Sequence, residues 1–185
     1  MKLLQDILYR VEIQEVAGST NLAIPSISFD SRNASKDTLF VATRGSLVDG
    51  HDYITQAIEL GAVAIIAEEL PSEKSDHITY VKVKNSQEAL GIIAANYYDN
   101  PSEELKLIAV TGTNGKTSVA SLLFDMYQSI GKKSGLLSTI VNKIGYQERP
   151  STHTTPDAIS LNALLSQMVE EGCQYCFIEA SSHAI

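Results

Sequence analysis

The sequence predicts an α/β protein in two parts: a small α/β domain over residues 1–99, then part of a second domain, residues 100–185, with a mostly parallel sheet. Three observations carry that expectation. Short apolar runs of strand length alternate with segments whose apolar residues recur at helical spacing. A cluster of turn formers, Asp99-Asn100-Pro101-Ser102, interrupts the pattern. Beyond it, Leu107-Ile108-Ala109-Val110 shows no polar alternation, as expected of a parallel strand covered by helices on both faces.

In chain order, Leu3, Leu4, Ile7 and Leu8 fit an opening amphipathic helix. Strands are expected over 27–29, 39–42, 62–67 and 78–83, with a helix over 53–60 that Gly61 stops. A helix over 87–98 presents Leu90, Ile93, Ala94 and Tyr97 on one face. After the turn cluster, strand 107–110 leads into a glycine-bearing loop. From Ser118, residues Val119, Leu122, Leu123, Met126, Tyr127 and Ile130 recur at helical spacing until Gly131-Lys132-Lys133 closes the helix. A strand follows near 135–138. The next helix opens at Thr155-Pro156-Asp157, with Thr155 as N-cap and Pro156 in first position, and buries Leu161, Leu164, Leu165 and Met168. Strand 175–178 then delivers Glu179.

With 44% hydrophobic residues in 185, the chain can bury one good core or two small ones. Twenty-two acidic against 14 basic residues give a net charge of −8, and no Lys/Arg block could neutralise a run of phosphates, so nucleic acid is not an expected partner. Met1-Lys2-Leu3-Leu4-Gln5-Asp6 lacks the apolar stretch of a signal peptide, and no later run approaches membrane-spanning length. A cytoplasmic protein without membrane contact is expected. Cys173 and Cys176 have C-x-x-C spacing, but they follow a helix and have no second ligand pair, so they read as reduced, buried thiols.

The loop Gly112-Thr113-Asn114-Gly115-Lys116-Thr117 has the chemistry of a phosphate cradle. Backbone N–H groups converge at a helix N-terminus, glycines allow close approach, Lys116 offers a cation to the β- and γ-phosphates of ATP, and the Thr117 hydroxyl offers a ligand to Mg²⁺. Val110 stands where the common pattern has glycine, which sets this loop apart from the usual GTPase and kinase versions. Glu179, at a strand end in the same sheet, is either a carboxylate for that magnesium or an ordinary solvated acid. The segment Ser151-Thr152-His153-Thr154-Thr155-Pro156 suits either an anionic ligand or plain helix capping. His77 reads as a surface residue, and His51, His153 and His183 carry no catalytic role from sequence.

The stretch Val110-Thr111-Gly112-Thr113-Asn114-Gly115-Lys116-Thr117 resembles the ATP loop of the Mur ligases. Asp30-Ser31-Arg32, Leu39-Phe40-Val41-Ala42, Gly45, Asp49-Gly50-His51-Asp52, Ala57-Ile58, Gly61-Ala62, Thr154-Thr155-Pro156-Asp157 and Glu179-Ala180-Ser181-Ser182-His183 narrow the resemblance to the tripeptide-forming branch. The resemblance implies an ATP-dependent carbon–nitrogen ligase of peptidoglycan synthesis, and so of cell wall biogenesis, cell shape and division. In that branch ATP phosphorylates the D-Glu carboxylate of UDP-N-acetylmuramoyl-L-Ala-D-Glu, and a diamino acid, meso-diaminopimelate in preference to L-lysine, attacks the acyl phosphate. It further implies that Phe29, Ser31 and Ser46-Leu47-Val48 hold the UDP end and that Thr154, Thr155 and Ser181 hold the muramoyl-peptide end. Lys116 and Glu179 would be catalytic, with Thr117 and Glu179 on magnesium, in a monomer. His153 replaces a frequent Asn and Ala180 a usual Val. Because the family's carbamylated lysine and C-terminal domain would fall beyond Ile185, the resemblance implies a fragment that binds the UDP substrate without completing ligation. The alternatives are a sister Mur-type ligase and a non-catalytic nucleotide-binding module.

Overall fold

The computed structural model describes residues 1–45, 48–150 and 156–181. The chain divides into two compact units, Met1–Tyr97 and Tyr98–Ile185.

In the first unit, β1 (Lys2–Leu3), α1 (Leu4–Ile7), β2 (Ile13–Ala17), β3 (Ala23–Ile24) and β4 (Ser26–Ser28) precede β5 (Thr38–Val41). α2 (Ile54–Glu59), β6 (Ala62–Ala67), β7 (Thr79–Val83) and α3 (Ser86–Tyr97) follow. The main sheet has the order β2-β7-β6-β5-β4, with β4 to β7 parallel and β2 antiparallel at the edge, while β1 pairs separately with β3. Strands β5 and β6 are central and nearly continuous in Val, Ile, Leu, Phe and Ala, as burial of both faces requires. Phe40 and Ile65 from these strands pack with Ile54 and Ala57 of α2 and with Tyr80. On α3, Asn96 is buried and its side-chain amide donates to the carbonyls of Ile7 and Tyr9, which satisfies backbone at the end of α1. The expected helix over 53–60 is α2 preceded by a 3₁₀ turn, Gly50–Tyr53, and Gly61 ends it at φ +110°.

The second unit contains α4 (Pro101–Glu104), β8 (Lys106–Val110), α5 (Lys116–Ser129), β9 (Ser134–Leu137), β10 (Val141–Ile144), β11 (Gln147–Pro150), α6 (Ala158–Glu170) and β12 (Tyr175–Glu179). Its sheet order is β11-β10-β9-β12-β8. β8, β12 and β9 are parallel, and the β10–β11 hairpin extends them antiparallel. The last strand in sequence is thus inserted between the first two, with Glu179 in register with Val110. α5 packs Ala120 and Phe124 on Leu136 and Phe177, while α6 packs Leu165 and Met168 on Leu137 and Cys176.

Three expectations need correction. Among the described residues β8 is covered on one face only: it is an edge strand, with Leu107 39% exposed and Ala109 on the same open side. The reason is that α5 lies over Ile108 and Val110, whereas α6 lies over β9 and β12. On α5 itself, Val119, Leu122, Met126 and Ile130 are exposed, and the packed face is Ala120, Leu123, Phe124 and Tyr127. The N-cap of α6 is Asp157, not Thr155: its carboxylate accepts the N–H of Ile159 and of Ser160, each at 3.0 Å, so the helix starts at Ala158. Cys173 and Cys176 are free and buried, as expected, and His77 is exposed. No helix among the described residues is long and apolar enough to cross a membrane.

Candidate functional site

The loop after β8 is built on left-handed backbone. Gly112 has φ +142° and Gly115 φ +80°, and a Cβ at either would meet nothing within 4 Å, so glycine serves here for backbone freedom around an open cradle. Gly115 is the N-cap of α5, which places Lys116 and Thr117 in the first helical turn, where N–H groups lack intrahelical partners. The Lys116 ammonium folds back onto the Gly112 carbonyl at 2.6 Å, and the Val110 carbonyl accepts the N–H of Ala180 at 3.0 Å. That second bond ties the last residue of β8, just before the loop, to the chain just past Glu179.

Glu179 is 3% exposed, and its Oε2 accepts three hydrogen bonds. These come from the Thr117 hydroxyl at 3.0 Å, the Thr139 N–H at 3.0 Å and the Thr139 hydroxyl at 2.9 Å. Burial pushes the Glu179 carboxyl up, but the Thr139 N–H and hydroxyl, the Thr117 hydroxyl and the Lys116 charge together outweigh it and hold the group below its usual range. A buried carboxylate kept charged beside a threonine hydroxyl is a set of hard oxygen donors. It suits Mg²⁺, which keeps waters and takes few protein ligands when it arrives with a nucleotide. Among the described residues no group of three His, Cys, Asp or Glu could hold a metal by itself. The solvated-acid reading of Glu179 does not survive its burial.

The first unit has a cavity of about 410 Å³ lined by Phe29, Ser31, Arg32, Val48 and Tyr53, among others. Its aromatic walls are partly open, with Phe29 38% and Tyr53 42% exposed. The Ser31 hydroxyl donates to Gln56 of α2 at 2.8 Å. The loop that lines the other side is pinned from behind. The Gly50 N–H donates to the Thr43 carbonyl at 2.9 Å, and a Cβ at Gly50 would lie 2.7 Å from that same oxygen. Asp49 accepts the backbone N–H of His51 at 3.0 Å and pairs with its Nδ1 at 2.6 Å, while the Glu68 N–H donates to His51 Nε2 at 3.0 Å. Nε2 is therefore the acceptor and Nδ1 carries the proton. His51, left without a role by the sequence, fastens this loop to the end of β6.

The structure thus brings Gly112, Thr113, Asn114, Gly115, Lys116, Thr117 and Glu179 together in one unit, and Phe29, Ser31 and Val48 in the other. Ser181 is half-buried two residues past Glu179. Ser46, Leu47, Thr154 and Thr155 lie outside the described residues. Sequence reasoning missed Thr139, although a Ser-Thr pair directly after an apolar strand carries the same strand-end signal that singled out Glu179. It also missed Arg32 and Tyr53 as cavity residues.

Comparison with known proteins gives two family matches: residues 110–185 match the Mur ligase middle domain and residues 23–98 match the Mur ligase family, catalytic domain. A protein of Cytophaga hutchinsonii named UDP-N-acetylmuramoyl-L-alanyl-D-glutamate–2,6-diaminopimelate ligase is 50% identical over 182 residues, which cover 98% of this chain and 37% of the relative. A protein of the same name from Parabacteroides distasonis is 48% identical over 182 residues, with coverage of 98% and 37%. A solved structure under that enzyme name superposes with a TM-score of 0.77 at 24% identity, covering 98% of this chain and 36% of the other, which shows the fold. The chain therefore spans about 37% of the length of the curated relatives.

Proposed function

Because the chain belongs to the Mur ligase family, we propose that the whole protein is an ATP-dependent ligase that joins a diamino acid to UDP-N-acetylmuramoyl-L-alanyl-D-glutamate. The observation that carries this reading is the junction of an open phosphate loop with Thr117 and a buried, charged Glu179. The names of relatives at 48–50% identity support 2,6-diaminopimelate as the amino acid; L-lysine is the alternative.

In this reading residues 1–99 form the UDP-substrate domain and residues 100–185 the first part of the ATP-binding domain. Phe29 and Tyr53 offer ring faces to a uracil, and Ser31, already oriented by Gln56, offers a hydroxyl oxygen as acceptor. In the second unit the N–H groups at the start of α5 receive phosphate oxygens, and Lys116 exchanges the Gly112 carbonyl for the β- and γ-phosphates. Thr117 and Glu179 would hold Mg²⁺, which when bound withdraws charge from the transferring phosphate. The D-Glu carboxylate of the substrate attacks the γ-phosphorus and ADP leaves. The amine of the diamino acid then attacks the acyl carbon, and phosphate departs as the amide forms. The ammonium of Lys116 offsets the charge that develops during transfer. Thr154, Thr155 and Ser181 are proposed for the muramoyl-peptide end.

The test uses the full-length protein with ATP, Mg²⁺ and UDP-N-acetylmuramoyl-L-Ala-D-Glu, and measures phosphate release with meso-diaminopimelate or L-lysine. Release that depends on meso-diaminopimelate is expected. Release with L-lysine alone would reverse the choice of amino acid, and no release with either would overturn the ligase reading.

A further inference from the structure

We infer that Thr139 is a positioning residue for the nucleotide–metal site: it fixes the Glu179 carboxylate and, through it, the orientation of the Thr117 hydroxyl. The inference rests on the ligase reading of the same site.

Glu179 is only 3% exposed, so the hydration of its carboxyl group must be replaced by donors held in place. Thr139 supplies two of the three that reach Oε2, from its N–H at 3.0 Å and its hydroxyl at 2.9 Å. Two donors from one residue act as a chelate, setting the plane of the carboxylate as well as its position. Thr139 is itself held by the turn between β9 and β10. The Ser138 hydroxyl donates to the Val141 carbonyl at 2.7 Å, and the Val141 N–H donates to the Ser138 oxygen at 3.2 Å, with Ser138 1% exposed. The N–H of Thr139 is thus aimed before any ligand arrives.

The two oxygens of Glu179 consequently differ. An oxygen of a carboxylate offers about two lone-pair directions, so three donors exhaust Oε2. A cation, or a water carried by it, has to approach through Oε1. The Thr117 hydroxyl spends its proton on Oε2 at 3.0 Å, which turns its lone pairs away from Glu179 and leaves them for a cation. Removing the Thr139 hydroxyl breaks the chelate and leaves Oε2 with one donor from Thr139 and one from Thr117, so the plane of the carboxylate is no longer set and the Thr117 orientation loosens.

The experiment compares full-length wild type, Thr139→Val and Thr139→Ser. Valine keeps the shape and the N–H but loses the hydroxyl, whereas serine keeps both donors. Mn²⁺ is titrated in the presence of a non-hydrolysable ATP analogue, with free Mn²⁺ read by electron paramagnetic resonance, and the metal-free unfolding midpoint is measured alongside. Thr139→Val is expected to weaken Mn²⁺ binding about tenfold, the usual effect of losing a partner behind a metal ligand, while Thr139→Ser stays within about twofold of wild type. Wild-type affinity in Thr139→Val, or a loss in Thr139→Ser as large as in Thr139→Val, would overturn the inference. If Thr139→Val does not fold, Thr139→Ala takes its place with the same two outcomes. Failure of the wild type to bind Mn²⁺ with the nucleotide would instead remove the ligase reading beneath it.

Discussion

Replacing Glu68 by Gln should destabilise the chain by about 1–2 kcal/mol at neutral pH and by almost nothing in acid. Glu68 Oε1 accepts the Ser86 N–H at 2.9 Å and the Ser86 hydroxyl at 3.0 Å, at the start of α3. Turning a charged acceptor into a neutral one costs about 1 kcal/mol per bond, and losing a negative charge at a helix N-terminus costs about 0.3–1 kcal/mol. Arg44, 3.3 Å away and half exposed, adds little, and the 21% exposure of the Glu68 side chain reduces the sum. The Ser86 N–H, with smaller help from the Ser86 hydroxyl and Arg44, holds the Glu68 carboxyl below its usual range against burial, which pushes it up. A carboxyl depressed on folding stabilises the native state above its unfolded pKa, and that contribution fades as pH falls through the folded value. The advantage of wild type over Glu68→Gln should therefore be full at pH 7 and vanish on the acid side of the usual carboxylate range. Thermal unfolding followed by circular dichroism should show a midpoint lowered by about 2–8 °C at neutral pH, given about 2–4 °C per kcal/mol for a chain of this size. A deficit of equal size at every pH, or none at pH 7, would refute the reasoning.

In the full-length protein, Lys116→Ala should lower ATP-dependent phosphate release by about 100-fold or more, with the unfolding midpoint unchanged because the ammonium's hydrogen-bond partner among the described residues is an exposed loop carbonyl. A matching drop in the midpoint would mean that the lysine acts through structure. Gly135→Ala should cost about 1–3 kcal/mol in urea denaturation, since the new Cβ would fall 2.2 Å from the Met168 sulfur under α6. Met168→Ala should recover part of that loss in the double variant, and simple additivity would contradict the packing argument. Both thiols should resist Ellman's reagent until the chain unfolds, because burial pushes Cys173 and, far more strongly, Cys176 up. Rapid reaction of Cys176 in the native protein would place it elsewhere than the β12 core.

Much of the architecture is legible in the residues because apolar period and turn chemistry act locally. β6 spans the run Ala62–Ala67 that its composition marks out, and α6 carries Leu161, Leu164, Leu165 and Met168 toward the sheet. The weaker elements escaped for physical reasons. β2 is an edge strand with Gln14 and Glu15 in its middle, so its pairing with β7 is not written in hydrophobicity. The β10–β11 hairpin is held by backbone bonds around Gly145 at φ +57°, and β11 is exposed throughout. α4 lies inside what reads as a turn cluster, after Asp99 and Asn100 both adopt left-handed backbone.

The sequence alone determined that a flexible, glycine-bearing loop with Lys116 and Thr117 follows an apolar strand and opens a helix, because each of those steps depends on neighbours within a few residues. It also marked Glu179 as a strand-end carboxylate. Only the tertiary structure decided what Glu179 meets. Inserting β12 between β8 and β9 puts residues 62 and 40 positions away in the chain, Thr117 and Thr139, on a single carboxylate oxygen. Likewise, His51 has no visible task until β6 brings the Glu68 N–H to its ring. Strand order is set by the summed packing of helices on both faces of a sheet, a non-local quantity that no window of sequence contains.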